Sequence, residues 1–354
     1  MKILITGICG FVGSSLARYW RESCPDWEIN GLDNFIRPGS ELNRLELKRL
    51  GVKVFHADLR AASDFETLPG VDFVIDAAAN PSVLAGIDGN TSSRQVVEHN
   101  LGSTTNVLEY CKKIKSGLML LSTSRVYSIP PLAGLPVRVE KDAYVPDTRQ
   151  ALPPGLSSAG MTEFFSTQAP ISLYGSTKLA SEALALEYGE CFGFPVWINR
   201  CGVLAGAGQF GRADQGIFAY WLHSWKRERP LKYIGFDGQG HQTRDALHPH
   251  DLARLITQQM NFKGDRSRLI NVSGGAAQAM SLKQLSDWCE RRWGKRAIKS
   301  DSTPRPFDLP WVVLDATLAH KLWDWKPKIP LQTILEEIAA QAETHPDWLD
   351  LSAP

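Results

Sequence analysis

Short apolar runs alternate with amphipathic stretches through the first 200 residues. Lys2–Thr6 reads as a buried strand, then a glycine turn, then a helix from about Phe11 to Glu22. Glu28–Leu32, Val52–His56, Val71–Asp76 and Gly117–Ser122 read as further strands, with a long helix over Gln95–Lys113. A helix over about Leu173–Phe192 leads into a strand at Pro195–Arg200. Strand–helix alternation of this kind predicts an α/β fold, a doubly wound parallel sheet with helices on both faces.

Residues 128–171 break the rhythm. They carry Pro130, Pro131, Pro136, Pro146, Pro153, Pro154 and Pro170 and little periodicity. A structureless stretch of that length inside a compact domain is expected to be a lid or binding loop, or else a surface insertion. After residue 200 the pattern loosens: Gly202–Gly216 is glycine-rich, Ile217–Arg229 and Asp251–Met260 read as helices, and the tail from Ser281 reads as helical. Its tryptophans (288, 293, 323 and 325) are expected to pack a core, because the charges around them are mixed.

The chain has 354 residues, which is long for one compact core and predicts a large domain with a smaller C-terminal lobe. Lys+Arg is 39 against Asp+Glu 38, so no charge excess points to nucleic acid or a membrane surface. No stretch has the roughly 18–20 consecutive apolar residues of a membrane span. The apolar start is too short for a signal peptide, and no removable leader is expected. The six cysteines are scattered, with no close pair to suggest a metal, and a reduced, cytoplasmic protein is expected.

The first turn reads Thr6-Gly7-Ile8-Cys9-Gly10-Phe11-Val12-Gly13. Glycines at that spacing between a strand and a helix serve a tight turn, a close phosphate approach and close packing. The helix start at Phe11 and Val12 presents free N–H groups to a pyrophosphate. Asp33 ends the second strand, where a carboxylate accepts bonds from ribose hydroxyls and favours NAD; Asn34 follows it, and the nearby Arg37 leaves NADP open. Asp58 and Leu59 end the third strand, in reach of an adenine, and Ala77, Ala78 and Ala79 keep the end of the fourth strand small.

Tyr174 and Lys178 stand at i and i+4 on one helix face. A free tyrosine has a pKa of about 10, too high for a base at neutral pH. An ammonium one turn away, helped by a nicotinamide cation, is expected to lower it. Ser122, Thr123 and Ser124 close the fifth strand, where such sheets bind ligands and where a hydroxyl can hold a reacting oxygen.

With these motifs the chain resembles the extended short-chain dehydrogenase/reductase superfamily of nucleotide-sugar epimerases and dehydratases. TGxxGFxG, Asp33, HADL at 56–59, the alanine strand end, Asn100 in HNLGSTTNVLE and YGSTK all fit. Within the superfamily it looks most like the CDP-tyvelose (CDP-paratose) 2-epimerase group. The carrying segments are LDNFIRPGSELN (32–43), STSRVYS (122–128), GQFGRADQG (208–216) and QTRDALHPHDL (242–252).

The resemblance implies Thr123, Tyr174 and Lys178 as the catalytic set. It adds Asn100 as an organiser of the active-site helix and Cys201 as a cofactor neighbour. It sets Ser82, Thr123, Ser124, Gln209 and Arg244 on the substrate side. Where relatives carry two arginines, Gly208 and Pro310 stand here, leaving Arg305, Arg212 or Arg244 to meet a diphosphate. Dehydratases carry Asp-Glu after the catalytic Thr; Ser124 and Arg125 stand here, which argues against water elimination. The resemblance further implies a Rossmann domain over 1–200 plus about 245–272 and a substrate lobe over about 201–244 and 273–354. The expected activity is NAD-dependent epimerisation of a nucleotide sugar through a keto sugar, with net oxidation or reduction as the alternative. A homodimer is expected by analogy.

Overall fold

The computed structural model describes residues 1–351 except 88, 90, 91, 214 and 265. Asp214, within one of the segments that carry the resemblance, and the end of the expected lobe at 352–354 therefore lie outside the described residues. Seven strands form the central sheet: β1 (Lys2–Thr6), β2 (Glu28–Asp33), β3 (Lys53–His56), β4 (Phe73–Asp76), β5 (Gly117–Thr123), β6 (Val196–Cys201) and β7 (Leu269–Val272). All neighbours are parallel, in the order β7-β6-β5-β4-β1-β2-β3. The chain steps from β1 outward to β3, then crosses back to β4 on the other side. That reversal opens a crevice over the carboxyl ends of β1 and β4.

The strand period of two divides the core. Ile3 and Ile5 face one side and pack with Leu16 and Trp20 of the Phe11–Ser23 helix and Leu252, Leu255 and Ile256 of the Pro249–Asn261 helix. Leu4 faces the other, with Val107 and Leu108 of the Ser103–Ile114 helix and Ala185 of the Ser172–Phe192 helix. Each such aliphatic side chain contributes about 1.5–3 kcal/mol when fully buried. Trp323 and Trp325 return from the tail into the first of these faces, where Trp325 Nε1 donates to Asp251 O at 2.9 Å. The tail is thus shared between the sheet domain and the second lobe. That lobe has a small sheet (Val203–Leu204, Thr243–Leu247, Ala279–Ser281, Trp311–Val312) backed by the helices Ile217–Lys226, Leu282–Trp293 and Leu331–Thr344.

Several expectations need correction. Residues 128–171 are not structureless. They hold a short helix (Ile129–Ala133), a hairpin (Val137–Glu140 with Ala143–Pro146) and a two-residue ribbon (Leu156–Ser157 with Gly160–Met161). Leu132, Leu135, Leu156, Met161 and Phe165 share a core with Trp311, Val313 and Leu314. Strands of two to four residues are too short to print a period, and the prolines sit at their turns and ends. The helix expected over Gln95–Lys113 is Ser93–Val97 and Ser103–Ile114 joined by a π turn, Glu98–Gly102. The helix Glu41–Arg49 was not anticipated, because Leu42 and Leu45 stay exposed and only Leu47 among its leucines is buried.

A buried ion pair joins the site's three carrier elements. Arg200 of β6 lies 2.7 Å from Glu182 of the Ser172–Phe192 helix, with side chains 6% and 3% exposed. Ser122 Oγ of β5 also donates to Glu182, and the Arg200 guanidinium lies over the Tyr127 ring at 5.1 Å. Removing one partner leaves a buried charge uncompensated. Arg200→Met is expected to cost about 3–5 kcal/mol, read as a lower denaturant midpoint in urea unfolding followed by circular dichroism; an unchanged midpoint would refute this view of the pair.

Candidate active site

The turn after β1 leaves no room for side chains. Gly7 has φ +61°, and a Cβ there would lie 2.9 Å from Ala78 Cα. A Cβ on Gly13 would lie 2.4 Å from Gly7 O. Gly10 caps the Phe11–Ser23 helix with extended backbone and no side-chain hydrogen bond, so the first-turn amides are left for a ligand. Thr6 Oγ1 donates to Asp76 Oδ1 at 2.7 Å and accepts from the amides of Ala77 and Ala78 at 3.0 Å, which locks the ends of β1 and β4 together.

Asp33 closes β2 with its carboxylate fixed by Cys9 N at 2.9 Å and Phe35 N at 2.8 Å. Burial pushes its carboxyl up, and those two amides hold it down. Asp58 is gripped by Arg60 at 2.6 Å and bonded by Asn34 at 3.2 Å; the Arg60 bond holds its carboxyl well below the usual range. Asn34, Asp58, Leu59 and Ala79 line a small recess with Gly7 and Asp33. It adjoins the main cavity, about 390 Å³, whose walls include Phe11, Val12, Gly13, Ala77, Ser122, Thr123, Tyr174, Lys178 and Cys201. A cleft with bare helix amides, a fixed carboxylate at the second strand end and space that any Cβ at Gly7 or Gly13 would fill suits NAD. Arg37 also lines it, but its guanidinium reaches across to Gln215 Oε1 and Phe210 O, both at 3.0 Å. The cation that kept NADP open is thus engaged with the second lobe.

Tyr174 and Lys178 are both buried, one turn apart, opposite Thr123. Two contacts seat their helix. A Cβ on Gly175 would lie 2.3 Å from Arg125 O, so the helix rides directly on the turn after β5. Asn100, in the π turn, donates to Thr177 Oγ1 at 3.1 Å and exchanges bonds with the Asn80 backbone at 2.8 and 3.2 Å. Asn100 stands behind the cavity wall and acts on the helix.

The electrostatics depart from expectation. Burial pushes the Tyr174 phenol up to about 12, the Thr123 hydrogen bond and the Arg125 charge draw it down, and the Cys201 thiol opposes them. Lys178 is itself lowered by burial and faces Asp76, Glu182 and Cys201. The Arg125 charge is the cationic influence on the phenol inside the bare protein, and Lys178 lies one turn along the same helix. Desolvation leads both shifts: two neighbouring groups lose water together.

A second cavity of about 400 Å³ adjoins the first. Phe218, Trp221, Ile234, Met280 and Leu285 give it an apolar wall, and Lys232, Gln242, Arg244, Arg305 and Asp308 a polar one. Arg244 pairs with Asp308 at 3.4 Å. Ser124 lies in the shared wall of the two cavities. Two residues expected on the substrate side do not line this second cavity. Gln209 lines the dinucleotide cavity, pulled there by its Nε2 bond to Leu204 O at 2.6 Å. Ser82 sits in a turn whose neighbours, Pro81 and Val83, make the wall instead. Residues 128–171, expected as a lid, contribute nothing to the walls of either cavity among the described residues. Arg125, Gln242 and Asp308 were missed. Arg305-Pro306-Phe307-Asp308, a charge pair around a proline, was the available signal for the last.

The comparisons agree with this geometry. A family model described as the NAD dependent epimerase/dehydratase family matches residues 3–273. A CDP-paratose 2-epimerase of Salmonella typhi is 28% identical over 93% of this chain and 95% of its own length. A UDP-glucuronate 4-epimerase of Thermodesulfobacterium geofontis is 26% identical over 93% and 92%. A UDP-glucuronic acid 4-epimerase from Bacillus cereus, solved with UDP-glucuronic acid and NAD, superposes with a TM-score of 0.79 at 26% identity, covering 97% of this chain and 99% of that one. The glycine cradle, the paired cavities and these relatives lead to one conclusion: the chain belongs to the NAD-dependent epimerase/dehydratase family, enzymes of the extended short-chain dehydrogenase/reductase type.

Proposed function

We propose that the protein epimerises a nucleotide-linked hexose, with CDP-paratose and its 2-epimer CDP-tyvelose as the leading substrate pair. The carrying observation is the junction of the two cavities, where Thr123 and Tyr174 line the dinucleotide side and Ser124 and Arg125 belong to both. The CDP-paratose 2-epimerase relative and the segments at 32–43, 122–128, 208–216 and 242–252 favour carbon 2. A specific observation keeps net redox as the second reading: a dTDP-4-dehydro-6-deoxy-D-allose reductase of Streptomyces bikiniensis is 26% identical over 97% of this chain and 96% of its own length.

The chain's own residues then divide the work. NAD, when bound, supplies the hydride acceptor, the returning hydride and a positive ring that favours a nearby phenolate. Gly7, Gly10 and Gly13 admit its pyrophosphate to the Phe11–Val12 amides, Asp33 holds ribose hydroxyls, and Asn34, Asp58 and Leu59 frame the adenine end. Tyr174 takes the proton from the sugar hydroxyl and later gives it back. Thr123 Oγ steadies the oxygen as it becomes a carbonyl, and Lys178 holds the ribose beside it. Arg244 and Arg305 meet the diphosphate. The apolar walls of the second cavity keep water from the keto sugar while it turns over.

We further propose a homodimer through the helices that bear Tyr174 and Asn100, where Leu173, Leu184 and Phe192 are 37%, 36% and 39% exposed. Sedimentation equilibrium should give twice the chain mass of 39.2 kDa; the single mass at micromolar concentration would refute it. For the function, CDP-paratose incubated with the enzyme should yield its 2-epimer with no net absorbance change at the NADH band when NAD is in excess. A stoichiometric NADH signal would move the assignment to net redox, and an untouched substrate would refute it. Tyr174→Phe should lower kcat by at least ~100-fold while leaving NAD affinity within a few-fold of wild type, since it removes only the proton acceptor; undiminished turnover would remove Tyr174 from its role.

A further inference from the structure

The cations of the second cavity are not equally matched. Asp308 faces Arg244 at 3.4 Å, and Lys232 has Asp301 at 3.7 Å. Arg125 and Arg305 have no carboxylate within 4.0 Å among the described residues; the Arg305 guanidinium donates to Ala213 O at 3.4 Å in an exposed position, while that of Arg125 donates from Nη1 to Phe307 O at 3.4 Å and feels the Asp308 charge from farther off. The Arg125 backbone is pinned, because the Ser172–Phe192 helix rests on its carbonyl at Gly175. Its side chain lies in the wall common to both cavities, where the sugar would meet the dinucleotide. A half-buried guanidinium facing a cavity with most of its N–H groups uncommitted calls for oxygen acceptors from a ligand. The diphosphate already has Arg244 and Arg305, which leaves the hexose.

Resting on the epimerase reading, we propose that Arg125 is a specificity-determining residue whose guanidinium binds oxygen substituents of the hexose beside the carbon that reacts. It enters the site two residues after Thr123 and on the same turn, so the hydroxyl that steadies the reacting oxygen and the fork that orients the ring are positioned by one piece of backbone. A planar fork at this point holds a ring by two oxygens in one orientation, which a hydroxyl at that place cannot do. The same charge reaches Tyr174. The groups facing that phenol are Thr123 and Arg125 from β5 and the turn after it, Cys201 from β6 and Lys178 from its own helix, and Arg125 is the cation that draws it toward ionisation.

The test compares nucleoside diphosphates with their hexose conjugates by titration calorimetry: CDP against CDP-glucose and UDP against UDP-glucose, on the NAD-loaded enzyme. In wild type the conjugate binds more tightly, and Arg125→Met should erase at least tenfold of that increment while leaving CDP, UDP and NAD affinities within about threefold and the melting temperature unchanged. Arg125→Lys should restore part of it. In turnover, Arg125→Met should lose about 100-fold in kcat/KM, the scale of a misoriented reactant, and the rise of rate with pH should move to higher pH because the phenol loses its cation. Equal loss of CDP and CDP-glucose affinity would put Arg125 on the diphosphate and overturn the inference while the epimerase reading stands. An unchanged increment, or no increment in wild type, would also overturn it. A fall in melting temperature with loss of NAD, repeated in Arg125→Lys, would make the residue structural. An Arg125-dependent increment in an enzyme that inverts no carbon would overturn the epimerase reading alone.

Discussion

Every strand of the central sheet runs in the same direction, so all seven carboxyl ends fall on one edge. The reversal of strand order between β1 and β4 keeps two adjacent connections from covering the same spot, and the space left there is the site. Gly7, Asp33, Asp58, Ala77–Ala79, Ser122–Arg125 and Cys201 are far apart in the chain yet close in space for this single reason. The hydrogen bonds of Thr6 to Asp76, Ala77 and Ala78 hold the two diverging strand ends at the separation the crevice needs.

A site built this way buries Tyr174, the proton acceptor of the proposed reaction. Desolvation drives the Tyr174 phenol up and the Lys178 ammonium down, so burial by itself works against ionisation of the phenol. The opposing influences are local: the Thr123 hydroxyl, the Arg125 charge and the positive ring that NAD brings.

The glycine turn and the acid twenty residues after Gly13 were legible because each answers to a local rule: no Cβ fits, and one strand end must carry a carboxylate. The Tyr174–Lys178 pair was legible as helical spacing. The segment 128–171 was not, since its strands are too short to show alternation and its core contacts are with Trp311–Leu314, some 150 residues on. Which cavity Gln209 lines could not be read from the chain, because its direction depends on one bond to the Leu204 carbonyl. The weight of Arg125 was hidden for a similar reason: the sequence marks it as the absence of an acid, while its lack of a close carboxylate becomes visible only when Asp308 is seen beside Arg244.

The account's central claim is that one carbon loses and regains the same hydride beside Tyr174 without leaving the pocket. The most direct measurement follows CDP-paratose deuterated at carbon 2 through the reaction by mass spectrometry and proton NMR. The account predicts that the 2-epimer keeps its deuterium at that carbon, with none in water and none in free NADH. Deuterium lost to solvent would mean carbon deprotonation in place of hydride transfer, and that result would contradict the account.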